Sequence, residues 1–289
     1  MANVETLVAV ITGASRGLGK GIALELGQRG ATVYVVGRTT VSGSQVSAGG
    51  KPVPGSIHEA AAEVTAAGGR GIAVACDMSV DDDIRALFEQ VREESGRLDI
   101  LVNNAASLHD EMGKRPFWEA PVQFADIINV GLRCHQVATY YAAPLLVAAG
   151  RGLVVNISFY SDAKIHDPAY YAAKAGLDQL AASWSEDFAS RNVAAISLWP
   201  GFIRTERGDE VLGEKKELFA GMGMESPRYE GRVIGAIWDD PYMMKLSGKT
   251  VIGAELGERY GVSDLPGFDP KSLRQFYGSP HPRFDPHGA

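Results

Sequence analysis

One short stretch of the sequence has the residue types needed to transfer a proton to or from a carbonyl oxygen. Residues 170–174 read Tyr-Tyr-Ala-Ala-Lys. A helix places residues four apart on one face, so the Tyr170 hydroxyl and the Lys174 ammonium can reach one small volume. A free phenol titrates at about pH 10, and a nearby cation favours its ionised form. Lys174 is therefore expected to lower the pKa of Tyr170, and the pair predicts general acid–base chemistry.

A second stretch has the pattern of a phosphate-binding turn. It reads Thr-Gly-Ala-Ser-Arg-Gly-Leu-Gly from residue 12 to residue 19, between a predicted strand and a predicted helix. Gly13 can form the tight turn, Gly17 lets the backbone approach a pyrophosphate, and Gly19 allows close helix–strand packing. The amides and dipole of the helix N-terminus would then bind the phosphates, with Ser15, Arg16 and Leu18 in contact.

The end of the second predicted strand indicates which dinucleotide is bound. The strand ends Val35-Val36-Gly37-Arg38-Thr39, without the acid that usually accepts from the ribose hydroxyls of NAD. Arg38 follows Gly19 at close to the expected interval of about 20 residues. Arg38 and Arg16 could bind a 2′-phosphate and Thr39 could add a hydroxyl. We predict NADP(H), with NAD less favoured.

Small and polar residues follow two further predicted strands. Asp77 could accept from the adenine amino group and Met78 could give apolar contact, while Asn104, Ala105 and Ala106 would let the adenosine ribose and phosphates lie near the backbone. Carboxyl ends of strands are where open α/β sheets bind ligands. The prediction is a dinucleotide site along one edge of the sheet.

Alternating strands and amphipathic helices predict an α/β fold, a Rossmann-like doubly wound parallel sheet with helices on both faces, in a single domain. The predicted strands are Leu7–Thr12, Thr32–Gly37, Ile72–Cys76, Leu98–Asn103, Leu153–Ser158, Ala194–Trp199 and Thr250–Ala254. The predicted helices are 17–29, 80–95, a long one over 121–148, and one that carries Tyr170 and runs to about Ser190.

Three segments interrupt this alternation. The catalytic domain is expected over residues 1–262, with a Gly-, Ser- and Pro-rich inserted loop at 41–57 that is either a lid or a plain surface insertion. Residues 206–228 are expected to form a mobile flap, with Leu218, Phe219, Met222 and Met224 as candidate substrate contacts. The proline-rich tail 263–289 is expected to be extended, either packed on a neighbour or disordered.

Composition excludes several classes of function. A net charge of −7 argues against nucleic acid or an anionic membrane as a main partner. The two cysteines, Cys76 and Cys134, lie in apolar surroundings and predict buried thiols in a reducing compartment. No secretory signal or membrane span is recognisable, so a cytoplasmic location is expected.

Taken together, the chain resembles the short-chain dehydrogenase/reductase family. The matching elements are Thr12–Gly19, Asp77, Asn103–Ala106, Asn129, Ser158, Tyr170 with Lys174, and Pro200-Gly201. Arg38 and the stretch from Trp199 to Glu206 further resemble one branch of that family. The resemblance covers residues 7 to about 205, which is most of the chain.

The resemblance implies a role for each matching residue. Tyr170 would be the general acid in reduction, and Lys174 would bind the nicotinamide ribose. Ser158 would donate to the substrate oxygen, and Asn129 would hold a water that relays protons to Lys174. The nicotinamide carboxamide would be held after the sixth strand by Pro200, Gly201, Ile203 and Thr205.

One spacing departs from the family pattern. Ser158 precedes Tyr170 by 12 residues, where the family commonly leaves about 13, so Ser161 is an alternative hydroxyl. His109, Phe159, Tyr160 and His166 are candidate pocket residues. No metal site is expected.

The sequence thus predicts an oxidoreductase that transfers a hydride between NADP(H) and a carbonyl or secondary alcohol. The substrate would be a small molecule, for which a medium-sized apolar compound is one suggestion. The alternative is a cofactor-binding regulator or scaffold without turnover, and an epimerase or dehydratase also remains open. The resemblance implies pairing into a homodimer or homotetramer through the helices at 121–148 and 168–190. Residues such as Ala142, Leu145, Leu146 and Leu177 make these helices apolar all round, which is consistent with burial on more than one side.

Overall fold

The computed structural model describes residues 6–46, 50–109, 111–160, 166–206, 224–281 and 283–286. Parallel strands form one seven-stranded sheet in the order β5-β2-β1-β6-β7-β8-β9, and β3 pairs with β4 in a separate antiparallel hairpin. The strands are β1 Val8–Thr12, β2 Thr32–Gly37, β3 Gln45–Val46, β4 Pro52–Val53, β5 Arg70–Ala75, β6 Ile100–Asn103, β7 Gly152–Ile157, β8 Val193–Trp199 and β9 Thr250–Ile252.

Helices cover both faces of this sheet. They are α1 Gly17–Gln28, α2 Ile57–Ala66, α3 Asp81–Ser95, α4 Asp126–Ile128, α5 Cys134–Ala148, α6 Pro168–Phe188, α7 Tyr229–Asp239, α8 Gly253–Tyr260 and α9 Arg274–Tyr277. No helix within the described ranges is both long and apolar enough to cross a membrane.

The strand sequences explain why the sheet has two covered faces. All five residues of β1 are buried, and side chains along a strand alternate between faces. Ala9 and Ile11 pack in a core with α1, α2 and α7, whereas Val8 and Val10 pack in a second core with α3, α5 and α6. Near-continuous apolar runs are typical of parallel strands buried on both sides. The predicted doubly wound fold is confirmed.

The predicted long helix over 121–148 is wrong. The chain forms 3₁₀ turns up to Ala125, the short α4, and a wide-turned π segment from Asn129 to Arg133 before α5 begins. Inside that segment Gly131 has φ +155° and Val130 is also non-helical. The Val130 carbonyl accepts from the Ser107 amide at 2.7 Å, so the carbonyl that leaves the helix ladder is bonded to the loop after β6.

The inserted segment 41–57 contains structure that the composition did not predict. It holds the β3–β4 hairpin, and α2 begins at its end. Ser56 caps that helix by accepting from the Glu59 amide at 3.1 Å, as an N-cap serine does. The described part of the segment therefore holds a short hairpin, and three residues separate its second strand from α2.

The end of the chain differs from the prediction at two points. Strand β9 stops at Ile252, because Gly253 begins α8. The tail is not wholly extended: it contains α9, whose Arg274 pairs with Glu255 at 2.8 Å and with Asp285 at 2.5 Å. These ion pairs hold the tail against α8 of the same chain.

Candidate active site

One cavity of about 1020 Å³ lies at the carboxyl ends of β1, β2, β6, β7 and β8. This is the edge where an open parallel sheet binds its ligands. It contains nineteen of the twenty-one residues predicted for the site: Gly13, Ser15, Arg16, Gly17, Leu18, Gly19, Arg38, Thr39, Met78, Asn104, Ala105, Ala106, Ser158, Tyr170, Lys174, Pro200, Gly201, Ile203 and Thr205. Asp77 and Asn129 are not among its lining residues.

The glycine turn is packed tightly against the loop after β6. The Asn104 side chain donates to the carbonyls of Thr12 at 2.8 Å and Gly13 at 3.1 Å. A Cβ on Gly13 would lie 2.9 Å from the Ala105 Cα, and one on Gly19 would lie 2.5 Å from the Gly13 oxygen. Because neither position has room for a side chain, these glycines shape the turn by close approach, and Asn104 acts by holding it.

Gly17 meets a different requirement, because it begins α1 with φ +56° and an amide directed at the cavity. That amide donates to the Glu206 carboxylate at 3.0 Å. An anionic oxygen at the N-terminus of a helix is the arrangement that phosphate groups also adopt. The Glu206 carboxylate thus occupies the position that a phosphate oxygen would take, and the Gly17 amide is the kind of donor that a pyrophosphate requires.

Arg38 lies at the end of β2, where a 2′-phosphate would be read. Its side chain is 54% exposed and its Nη1 lies 3.6 Å from Asp77 Oδ2. The other Asp77 oxygen accepts from the Ser79 amide at 2.9 Å. Burial alone would raise the pKa of Asp77, but the Ser79 hydrogen bonds and the Arg38 cation together lower it below its ordinary value. Asp77 therefore contacts Arg38 rather than lining the cavity.

Arg16 connects the glycine turn to the inserted hairpin segment. Its guanidinium donates to the carbonyls of Pro54 and Gly55, each at 2.9 Å. Gln45, Val46 and Val53 of the hairpin line the cavity. The insertion consequently lines the cavity beside the glycine turn, and the choice between a lid and a plain surface insertion stays a prediction.

Tyr170 and Lys174 lie together at the opposite end of the cavity, on the first two turns of α6. They are 8% and 6% exposed, and the Lys174 Nζ is 5.7 Å from the Tyr170 ring centroid. The ammonium donates to the Ile157 carbonyl at 2.8 Å. Ser158, the residue after β7, donates from Oγ to the Lys174 carbonyl at 2.9 Å. Three groups suited to carbonyl chemistry thus share one buried volume.

Burial controls the acidities of these groups. It raises the pKa of Tyr170, so the expected lowering by Lys174 is not seen. Burial also lowers the pKa of Lys174 to about 8, although the Asp178 carboxyl one turn further along favours the cation. A neutral Tyr170 at pH 7 is a proton donor, which suits the acid in a carbonyl reduction.

Two other predicted residues lie away from the cavity. Asn129 is exposed at the start of the π segment, and its neighbour Val130 lines the cavity instead. Tyr160 stacks on Trp199, with ring centroids 5.9 Å apart, and does not line the cavity. Ser161 and the flap residues Leu218, Phe219 and Met222 lie outside the described residues.

Aromatic side chains surround the tyrosine end. His109, Phe159 and His166 line the cavity as predicted, and Phe124 joins them. His166 lies 4.1 Å from Tyr170 between ring centroids. From the tail, Tyr277 packs on Phe159 at 5.6 Å and on Phe202 at 5.4 Å. Sequence reasoning missed Phe124, Glu206 and Tyr277, since no local motif marks a residue that reaches the site through tertiary packing.

A doubly wound sheet with a glycine turn and a Tyr–Lys pair at one edge is the architecture of a nucleotide-dependent dehydrogenase. The family model for short chain dehydrogenases matches residues 7–216, and the chain belongs to that family. It is 38% identical over 282 residues to Dehydrogenase/reductase SDR family member 1 of Mus musculus, covering 92% of this chain and 86% of the relative. The human protein of that name is 38% identical over 277 residues, 90% of this chain and 83% of that relative.

These two relatives confirm the branch that Arg38 and the stretch from Trp199 to Glu206 indicate. A solved dehydrogenase structure from Xanthomonas campestris superposes with a TM-score of 0.77 at 27% identity, covering 91% of this chain and 93% of that one. The chain is therefore an oxidoreductase of the short-chain dehydrogenase/reductase family.

Proposed function

We propose that the chain transfers a hydride between NADP(H) and a carbonyl or secondary alcohol, with reduction as the favoured direction. The observation that carries this proposal is the single cavity that joins the glycine turn and Arg38 to Ser158, Tyr170 and Lys174. A nicotinamide cofactor, when bound, supplies or accepts the hydride. The protein then has to hold the cofactor, orient the carbonyl and manage one proton.

The proton is assigned to Tyr170. Its burial keeps the phenol neutral near pH 7, so its hydroxyl can protonate the oxygen that develops negative charge. Ser158 orients that oxygen by hydrogen bonding, after its hydroxyl turns from the Lys174 carbonyl. Lys174 supplies positive charge beside the phenol, and Asn129, being exposed, remains a prediction for the proton relay.

NADP rather than NAD is proposed from the charge at the adenosine end. Arg38 presents a half-exposed guanidinium at the end of β2, and Arg16 of the glycine turn lines the same cavity. A charge-assisted hydrogen bond contributes about 1.5–3 kcal/mol, which corresponds to a preference of about tenfold or more. Asp77 balances part of the Arg38 charge, so Arg38 is partly neutralised before any phosphate arrives.

The proposed substrate is a medium-sized apolar carbonyl compound, since the aromatic side chains of Phe124, Phe159 and His166 line the cavity that contains Tyr170. Pairing through α5 and α6 belongs to the same proposal. However, Ala142, Leu145, Leu146 and Leu177 are buried within one chain, so they are not free to form that interface. Exposed Tyr140 on α5 is a better candidate contact.

Parallel fluorescence titrations with NADPH and NADH, at one ionic strength, test this function first. We expect tight NADPH binding and weak NADH binding, followed by NADPH-dependent turnover in a screen of apolar ketones and aldehydes. Equal or reversed affinities would remove the NADP assignment and leave the catalytic one. Binding without turnover would favour the cofactor-binding scaffold, and binding of neither dinucleotide would remove the enzyme proposal.

A further inference from the structure

Two buried glutamates lie behind the turn that follows β8. Glu225 is 1% exposed and Glu230, in the first turn of α7, is 0% exposed. A carboxylate is costly to bury unless it is paired or hydrogen-bonded. The catalytic proposal uses neither residue, so their burial needs a separate explanation.

Glu225 is bonded to the turn through both its side chain and its backbone. Its Oε1 accepts from the Gly201 amide at 2.9 Å. Its amide donates to the Phe202 carbonyl at 2.7 Å, and its carbonyl accepts from the Arg204 amide at 2.9 Å. A Cβ on Gly201 would lie 2.5 Å from that Oε1, so this position has room only for glycine while Glu225 is in place.

Glu230 faces Glu225, and no described cation pairs with either carboxyl group. Both Glu230 oxygens and Glu225 Oε2 are buried and have no donor at full hydrogen-bonding geometry among the described residues. The arginines two residues either side of Glu230 in the sequence pair with other carboxylates: Arg228 pairs with Glu25 at 2.6 Å, and Arg232 pairs with Asp264 at 3.3 Å. Two carboxylates in such a place cannot both be ionised, so one of them must hold a proton.

The surroundings of the two glutamates decide which of them holds the proton. Burial first, then the Glu225 charge, raises the pKa of Glu230 well above its usual range. Burial raises the pKa of Glu225 only to about 7, because the Gly201 amide and the Glu230 hydroxyl stabilise its ionised form. Glu230 is therefore the neutral member of the pair, and Glu225 is the one that becomes ionised as the pH rises through about 7, with its charge facing the Gly201 amide.

We propose that Glu225 is a positioning residue for the nicotinamide end of the cofactor, held ionised by a proton that stays on Glu230. Its carboxylate fixes the turn formed by Pro200, Gly201, Phe202 and Ile203, which lines the cavity beside Tyr170. This inference rests on the proposed function, in which that turn receives the nicotinamide. The adenosine half of the cofactor lies at the other end of the cavity and does not depend on it.

Two ligands separate this role from a general structural one. NADPH reaches both ends of the cavity, whereas 2′,5′-ADP has the adenosine half and its 2′-phosphate but no nicotinamide. We expect Glu225→Gln, which keeps the size and removes the charge, to raise the Kd of NADPH about 5- to 10-fold. The Kd of 2′,5′-ADP should stay within about twofold of the wild type.

Variants of Glu230 test whether the proton on this residue keeps Glu225 ionised. Glu230→Gln retains a donor toward Glu225 and should leave the Kd ratio of NADPH to 2′,5′-ADP unchanged. Glu230→Leu removes the donor and should raise that ratio. Asp99→Asn is the matched control, because Asp99 is equally buried. Its carboxylate accepts from the Val8 amide at 2.7 Å at the amino end of β1, away from the cavity. This substitution should lower stability without changing the ratio.

The pH dependence gives a further readout. Below about pH 7 Glu225 takes up a proton, which should raise the Kd ratio of NADPH to 2′,5′-ADP in the wild type as the pH falls from about 8 to about 6. The 2′-phosphate is common to both ligands, but the 5′-phosphate of 2′,5′-ADP also takes up a proton at about pH 6, so the ratio is compared with that of Glu225→Gln at each pH. The other titratable or charged groups around the pair, Asp264, Tyr229, Asp269, Glu25, Arg228 and Arg232, are unchanged in Glu225→Gln. The wild-type ratio should therefore rise relative to that of the variant, and parallel pH profiles would overturn the inference.

Equal weakening of both ligands in Glu225→Gln, or no weakening of either, would overturn the inference while the proposed function stands. Binding of neither ligand by the wild type would overturn both. If Glu225→Gln fails to fold, Glu225→Asp retains the charge but shortens the reach to Gly201, and it should separate the two ligands in the same way. A Glu225→Asp protein with an unchanged ratio would also overturn it.

Discussion

The Glu206 carboxylate lies on the Gly17 amide, 3.0 Å from it, although the two residues are 189 positions apart in the sequence. This amide belongs to the first turn of α1, where the helix dipole favours an anion. A side chain of the protein thus occupies a donor that the proposed cofactor needs for its pyrophosphate. Glu206 is also the first residue of the segment predicted to be a flap, so the contact joins the glycine turn to the start of that segment.

Glu206→Gln should tighten NADPH binding by about 3- to 10-fold. The neutral amide competes less well for the Gly17 donor and does not repel the pyrophosphate. Fluorescence titration measures the effect, with Glu186→Gln as an exposed control on α6. Weaker binding in Glu206→Gln would show that the carboxylate supports the bound cofactor instead.

Tyr170→Phe should lower kcat by about 10²- to 10⁴-fold, because the proton donor is lost while the ring packing remains. The Kd of NADPH should change by less than about twofold. Tyr171→Phe is the matched control, since it removes the same hydroxyl from the adjacent residue, which does not line the cavity. Retained turnover in Tyr170→Phe would remove Tyr170 as the acid.

Arg38→Asp should shift cofactor preference from NADPH toward NADH. The change removes the cation at the end of β2 and adds a carboxylate beside Asp77, so a 2′-phosphate is repelled while ribose hydroxyls gain an acceptor. We expect a loss of about tenfold or more in NADPH affinity. Arg85→Asp on exposed α3 controls for net charge. An unchanged preference would place the 2′-phosphate elsewhere.

Lys174→Met should be inactive but more stable than the wild type at neutral pH. The pKa of Lys174 is lowered from 10.5 to about 8 in the folded protein, so the buried cation costs at most about 3 kcal/mol below pH 8. Loss of its hydrogen bond to Ile157 offsets part of this, leaving a gain of about 1–2 kcal/mol.

The sign of the pH dependence follows from the same shift. Between about pH 8 and pH 10.5 the unfolded chain binds more protons at position 174 than the folded protein does, so wild-type stability rises with pH there. The advantage of Lys174→Met should consequently be largest below about pH 8 and shrink toward pH 10. Chemical denaturation at several pH values measures it. A variant that is less stable than wild type at pH 7 would contradict the burial argument.

Arg274→Ala should loosen the tail. Arg274 is 25% exposed and bonds to Glu255 and Asp285, and loss of these partly buried pairs should cost about 1–2 kcal/mol. Limited proteolysis should then cut the tail faster than in the wild type. Arg283→Ala, in the same segment, removes an exposed contact to Glu186 at 3.8 Å and a cation–π contact to Phe284 at 5.6 Å, and it should change the cleavage rate much less. Equal rates in both variants would mean that Arg274 does not anchor the tail.

Local patterns were enough to predict the sheet, the glycine turn and the Tyr170–Lys174 pair. Each of these depends on residues close in sequence, such as a buried apolar run or a helical spacing of four. The cavity therefore holds nearly all of the predicted residues. The break at Gly131 was missed because the Val130 carbonyl is bonded to Ser107 from another loop, a contact that no helical period contains.

Long-range side chains account for most of the remaining differences. Glu206 on Gly17, Glu225 on Gly201 and Tyr277 on Phe159 are tertiary contacts of glutamates and a tyrosine that carry no local motif. The acidity of Tyr170 was missed for a related reason: the spacing placed a cation near the phenol, but the degree of burial, which outweighs that cation, is a property of the folded protein.

The tail also contacts the edge of the sheet that β9 forms. Strand β9 is an edge strand, and the Thr250 amide at its start donates to the Phe284 carbonyl at 2.8 Å. An open edge is a template on which a strand from another molecule can assemble. The segment that brings Tyr277 to the active site therefore also shields the sheet from intermolecular strand addition. Shortening the protein before Phe284 would then show itself as aggregation before any loss of hydride transfer.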